Sequence, residues 1–237
     1  MLTLILAESA LELVPKKILG HPAVVSYSKK SGKSTNEILL DRSYHHKAMA
    51  DLKDAEKRGR PDIIHMTLLE ALGTPLNKEG LLQIYVHTID DHIIKVSSKA
   101  RLPKNYNRFV SLLEQLFKLG RVPESGESLL SIKKEKLQDI IDRIEPSKVI
   151  VFSSAGKPNT LREVCNKISH EEKPLIIIGG FPHGHLTNES MRAADCVFSI
   201  DRNALEAPVV TSRIIYEYEI AIGLDQKRVD LKTQGKT

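Results

Sequence analysis

The runs VIVF (149–152) and LIII (175–178) carry four apolar residues each with no polar residue between them. A strand with one wet face alternates. A strand buried on both faces does not, and a parallel sheet covered by helices is the arrangement that buries it. KVIVFSS (148–154) and PLIIIGG (174–180) therefore read as buried strands. LTLILAES (2–9) is a third, opening the chain, and CVFSI (196–200) is a fourth. Helical stretches alternate with them: KEKLQDIIDRI (134–144), KPNTLREVCNKIS (157–169) and LEAPVVTSRIIYEYEIAIGL (205–224). The second half of the chain is thus an α/β unit.

The first half is less regular. RSYHHKAMADLKDAEKRG (42–59) is charged, helix-prone and ends in Gly59. RPDIIHMTLLEALG (60–73) has Pro61 at a first helical position and Asp62 in the first turn, as a helix start prefers. LLQIYVHT (81–88) and HIIKVSS (92–98) flank Asp90-Asp91 and read as a hairpin. Asn105 then caps an amphipathic helix with Phe109, Leu112, Leu113, Leu116 and Phe117 on its apolar face. The hairpin and helix, about 81–119, read as a basic elaboration inserted into one domain spanning 1–237.

With 237 residues and 41% hydrophobic content, a packed core is within reach and global disorder is excluded. No apolar run is long enough to cross a membrane, and the first residues lack a signal-peptide pattern. The two cysteines, Cys165 and Cys196, have no metal-ligand spacing and form no disulfide framework, which fits a reducing cytosol. The polar stretch SYSKKSGKSTNE (26–37) reads as a mobile loop; SGKS (31–34) within it fails the phosphate-loop motif, because position 27 is Tyr where that motif needs Gly. The net charge is +5. Between His92 and Leu113 there is no Asp or Glu, while Lys95, Lys99, Arg101, Lys104 and Arg108 are present. Such a stretch is either a solvated face or the footprint of a polyanion.

Ligands of parallel sheets bind beyond the carboxyl ends of the strands. Three such ends are built of small or polar residues: FSSAGKP (152–158), IGGFPHG (178–184) and SIDRNALEAP (199–208). Together they point to a pocket lined largely by main chain. GGFPHG does not match G-x-G-x-x-G, which disfavours a dinucleotide. His183 and His185 lack a third ligand and favour a structural or substrate-facing role over a metal. Arg60, ahead of a Pro-started helix, sits where anions are favoured, with Asp62 able to orient it; composition alone equally describes an ordinary helix start. Arg101, Lys104 and Arg108 frame a Pro-stiffened turn with Tyr106 interleaved, a combination suited to phosphate and base contacts.

RPDIIH (60–65), TPLNKEGLLQIYVHT (74–88), RLPKNYNRF (101–109) and IIGGFPHG (177–184) occur in this order. Together the segments resemble the SPOUT-class ribosome-biogenesis methyltransferases (the nucleolar essential protein, or essential for mitotic growth, family) that methylate N1 of a pseudouridine in small-subunit ribosomal RNA. The likeness is to the compact archaeal members. The resemblance implies a parallel sheet with a C-terminal deep trefoil knot, a homodimer, a cytoplasmic location, S-adenosyl-L-methionine as methyl donor and no metal. It puts the donor on Gly179, Gly180, Gly184, Ser199, Ile200, Leu205, Ala207 and Val209. RNA contacts fall on Arg60, Arg101, Lys104 and Arg108. Arg60 is expected to stabilise charge on the reacting base, with Asp62 orienting it; a carboxylate held by a guanidinium is a poor general base. A protein of another class, an assembly factor that binds RNA without methyl transfer as its main task, fits the basic stretch equally but leaves the three glycines unexplained.

Overall fold

The structure is a computed structural model, and it describes residues 1–234. Its strands are β1 (Leu2–Ser9), β2 (Leu82–Thr88), β3 (His92–Val96), β4 (Arg121–Val122), β5 (Leu130–Lys134), β6 (Lys148–Pro158), β7 (Pro174–Gly179) and β8 (Cys196–Ser199). Its helices are α1 (Pro22–Ser31), α2 (Arg42–His45), α3 (Pro61–Gly73), α4 (Pro75–Lys78), α5 (Tyr106–Leu119), α6 (Leu137–Ile144), α7 (Leu161–Ile168), α8 (Asn188–Arg192), α9 (Ala207–Ala221) and α10 (Leu224–Gln234).

All eight strands join one sheet in the order β4-β5-β3-β2-β1-β7-β6-β8. From β2 to β8 every pairing is parallel, with β1 in register between β2 (Leu4 opposite Ile84) and β7 (Leu4 opposite Ile176). The apolar runs are buried on both faces, which is why they do not alternate. Leu4, Leu6, Ile150, Ile176 and Ile178 pack under α3, α7 and α9. Ile5, Val149, Val151, Leu175 and Ile177 pack on the other side against Leu137, Ile140 and Ile141 of α6.

Four expectations change. The sheet is mixed, because β3, β5 and β4 extend it antiparallel beyond β2. Lys133 and Lys134 end the edge-side strand β5, so α6 starts only at Leu137. The 42–59 stretch is mostly turn. Only Arg42–His45 is α-helical and Ala55–Lys57 forms a single 3-10 turn. Tertiary contacts override its helix propensity: Ala48, Met49 and Leu52 bury against Val14, Ile18, Val24 and Ile38, and Lys57 and Arg58 pair with Glu8 and Glu12 at the end of β1. Conversely, much of the polar segment read as a loop is helix α1. His21 caps it by accepting from Ala23 N–H at 3.2 Å, and left-handed Gly32 ends it.

No helix among the described residues is long and apolar enough to cross a membrane.

Candidate active site

The carboxyl ends of β7, β6 and β8 lie side by side because these strands are neighbours in the sheet. Between them opens a cleft of about 750 Å³, counting the part continuous with solvent. Its walls are Phe152–Ser154 after the buried part of β6, Gly179, Phe181 and Gly184 after β7, and Ser199, Ile200, Leu205, Ala207 and Val210 around the start of α9. Among the described residues Asp201 is the one carboxylate in the wall, and no Lys or Arg lines it.

Six of the eight residues expected to hold a donor line this cleft: Gly179, Gly184, Ser199, Ile200, Leu205 and Ala207. Gly180 and Val209 do not. Gly180 faces the core, where an added Cβ would run into Ser9 Oγ and meet Ile64 Cδ1 at 2.8 Å. Its N–H donates to Ala7 O and its carbonyl accepts from Ala10 N–H, both at 2.8 Å. Its smallness serves the packing of β7's end against β1 and α3. Val209 lies 42% exposed on the outer side of α9, and Val210, one helical step on, faces the cleft instead.

Gly156 went unremarked in the sequence. The pairing of β6 with β8 shifts register between Phe152 and Lys157, so that both pair with Phe198. Residues 153–156 bulge out, and Ser153 and Ser154 of that bulge form one wall of the cleft. A Cβ on Gly156 would lie 2.5 Å from the Phe198 carbonyl carbon. The signal was the Gly within FSSAGKP, but register across a parallel pair is not visible in one strand's sequence.

The loop after β7 is fixed from below by Glu8. This residue is 6% exposed and left-handed at φ 49°. Its Oε1 accepts from Thr187 N–H, Thr187 Oγ1 and Ser190 Oγ, each at 2.7 Å, and its Oε2 pairs with Lys57 Nζ at 3.1 Å. Burial pushes the Glu8 carboxyl up, but the bonds from Ser190, Thr187 and Lys57 outweigh it and hold it below the usual carboxylate range. Lys57 Nζ also donates to His185 O and sits 4.5 Å from the centre of the Phe181 ring. His183 and His185 are exposed. Among the described residues no group of three or more His, Cys, Asp or Glu is placed to hold a metal ion.

The same segment that carries Lys57 carries Arg60. Arg58 pairs with Glu12 through two bonds of 2.7 and 2.6 Å, and Arg60 N–H donates to Ala10 O at 3.0 Å. Thus β1's end anchors the turn that begins α3. Arg60 makes a two-pronged bond to Asp62, Nε to Oδ1 at 2.8 Å and Nη2 to Oδ2 at 2.7 Å. Both side chains remain 38% exposed. The Asp62 bond, aided by the nearby Glu206 and Asp41 carboxylates, raises the Arg60 pKa further above its ordinary value, so the guanidinium is a fixed positive charge. Glu206 precedes Ala207, which lines the cleft, so Arg60 stands near the cleft's rim.

Tyr106, at the start of α5, donates to Asp41 Oδ2 at 2.5 Å. Burial and Asp41 drive its phenol pKa well up, which keeps it neutral. The preceding turn is held by His65, whose Nε2 bonds Pro103 O at 2.7 Å and whose ring stacks on Phe109 at 4.2 Å. Asn105 caps α5 by accepting from Arg108 N–H at 3.1 Å. This scaffold leaves Arg101, Lys104 and Arg108 exposed, and none of them makes an ion pair among the described residues. Lys99 differs, being paired with Glu127 at 3.0 Å.

Burial pushes the Cys165 thiol up to about 12, which makes it inert packing.

The profile of the EMG1/NEP1 methyltransferase family matches residues 4–219. The chain is 44% identical over 225 residues to "Ribosomal RNA small subunit methyltransferase Nep1" of Thermococcus kodakarensis, covering 94% of this chain and 100% of that one. It is 46% identical over 215 residues to the protein of the same name from Staphylothermus marinus, covering 90% and 93%. Among solved structures, that of Archaeoglobus fulgidus Nep1 bound to S-adenosylhomocysteine superposes with a TM-score of 0.83 at 38% identity, covering 92% of this chain and 97% of that one.

Proposed function

The chain belongs to the EMG1/NEP1 methyltransferase family, and from this premise we propose that it transfers a methyl group from S-adenosyl-L-methionine to N1 of a pseudouridine in small-subunit ribosomal RNA. The observation that carries the reading is the cleft at the ends of β6, β7 and β8, lined by Gly179 and Gly184 and, among the described residues, free of Lys and Arg. A sulfonium cation suits a wall without cations, and its adenosine suits one built of backbone and apolar groups such as Ile178, Ile200 and Leu205. Gly179, Ser199, Leu205 and Ala207 are the residues we assign to holding it. Binding RNA alone would leave such a cleft without a purpose.

When bound, the donor supplies an electrophilic methyl on sulfur. The chain must bring N1 of a base, out of its stack, against that methyl and favour the N1 anion. Arg60 is assigned to stabilise the negative charge on N1 and the adjacent ring oxygen. Asp62 holds the guanidinium in one orientation through its two bonds. Because that carboxylate is engaged, it serves as orienter and not as base. Arg101, Lys104 and Arg108 hold phosphates.

The chain works as one domain and as a cytoplasmic homodimer. Val209, Arg213, Tyr216 and Ile220 recur at helical spacing on α9, and the three apolar ones are 42%, 61% and 36% exposed. A second copy covers this stripe. A trefoil knot in the C-terminal part belongs to the same reading and rests on the family alone.

The test is incubation with S-adenosylmethionine and an RNA hairpin containing one pseudouridine, followed by nucleoside mass analysis. One methyl should appear on the pseudouridine and none when uridine replaces it. No incorporation, or equal methylation of uridine, contradicts the reading.

A further inference from the structure

A second cleft lies between α1 and α5, well apart in the chain from the donor cleft's walls. Ala23, Tyr27 and Lys30 form one side, and Asn107, Val110 and Ser111 form the other. It encloses about 1310 Å³, counting the part open to solvent. Both walls come from segments without acidic residues: 92–113, and also 13–36, where Lys16, Lys17, Lys29, Lys30 and Lys33 are the charged residues. The carboxylate that does reach the wall, Glu114, is already engaged. It pairs with Lys33 and accepts from Leu39 N–H at 3.0 Å. Lys30 is exposed and makes no ion pair among the described residues.

The cleft also carries aromatic rings. Tyr44 is 46% exposed, in a chain with only eleven Phe and Tyr and no Trp. Its ring lies 4.5 Å from that of Tyr27, tilted by 32°. Tyr27 is in turn held edge-on by the fully buried His45 at 5.1 Å. This gives a braced aromatic platform beside an unpaired cation, the pairing that single-stranded nucleic acid uses for base stacking and phosphate contact. The platform is joined to the neighbourhood of Arg60, on which the Asp41 carboxylate acts. Tyr44 sits on α2, whose capping residue Asp41 takes the Tyr106 hydroxyl, and Tyr106 precedes Asn107 of the cleft wall.

We propose that the Tyr27–Tyr44 cleft binds an unpaired nucleotide of the substrate RNA next to the one being methylated, stacking its base on Tyr44 and setting its phosphate on Lys30. This rests on the reading of the chain as an RNA methyltransferase.

Y44W places a sole tryptophan in the cleft. It is titrated with a pseudouridine hairpin carrying unpaired nucleotides on both sides of the target, and methylation of the same RNA is measured alongside. Indole emission should be quenched on binding. Y44A should bind this RNA about tenfold more weakly, and K30A should lower the salt slope by about one. Unchanged emission, together with unchanged affinity of Y44A for an RNA that is bound and methylated normally, overturns the proposal and leaves the methyltransferase reading intact. If the RNA is neither bound nor methylated by the unaltered chain, both fall.

Discussion

The donor cleft and the basic turn at 101–108 are built on opposite principles. The first is recessed, shaped by strand ends and main chain, and, among the described residues, free of Lys and Arg. Its shape depends on residues being small, as Gly156 and Gly179 show. The second is exposed, consists of unpaired side chains on a rigid turn, and depends on charge. Changes at the first that press on backbone, as at Gly156, should alter the fold as well as binding. Changes at the second should alter binding and leave the fold alone. Arg60 lies between them, anchored to β1 through its backbone yet open to solvent at its guanidinium.

That contrast breaks most visibly at Arg60. Arg60→Ala should lower methyl transfer by on the order of 100-fold to 1000-fold while donor affinity stays unchanged, measured by single-turnover kinetics and calorimetry. Normal turnover would remove the guanidinium from the chemistry. Next in size is Gly156→Ala. Its Cβ meets backbone atoms of Phe198 that cannot swing aside, so stability should fall by about 1–3 kcal/mol, read from denaturant midpoints, with donor affinity falling alongside. Arg101→Ala should do neither. It should weaken RNA binding and reduce the salt slope by about one at an unchanged unfolding midpoint.

The smallest effect concerns pH. Glu8 is held below its unfolded pKa, so its stabilisation is present above that value and is lost as pH falls through the folded one. Donor affinity should therefore hold near neutrality and decline only as pH drops below the ordinary glutamate range, the loop from Phe181 to Thr187 loosening as Glu8 is protonated. Glu8→Gln should bind the donor more weakly at neutral pH and lose part of that decline; an identical decline in Glu8→Gln would exclude Glu8 as its origin.

Where the sequence pattern reported burial, it was readable. VIVF and LIII are flanked by packed layers on both sides, and the Asp90-Asp91 hairpin and the Asn105 cap appear where turn and cap chemistry put them. What stayed hidden depends on pairing between distant segments. The 42–59 stretch unwinds because Lys57 and Arg58 find Glu8 and Glu12, some 46 to 49 residues away. LSIKK of β5 is too short and polar to announce a strand one place in from the sheet's edge. The distinction between Val209 and Val210 is one step of a helix whose phase follows from its docking on α3 and α7. Glu8, which no motif marks, is identified only once Thr187 and Ser190 are seen on it.

The central claim is that the strand-end cleft holds the methyl donor. Ala207 lines it and is 8% exposed, so Ala207→Trp fills the space without touching Arg60, Arg101 or Arg108. Calorimetric titration of S-adenosylhomocysteine should give saturable binding to the unaltered chain and none to Ala207→Trp folded to the same extent by circular dichroism. No heat from the unaltered chain at millimolar ligand, or equal affinity in the filled variant, would contradict the account.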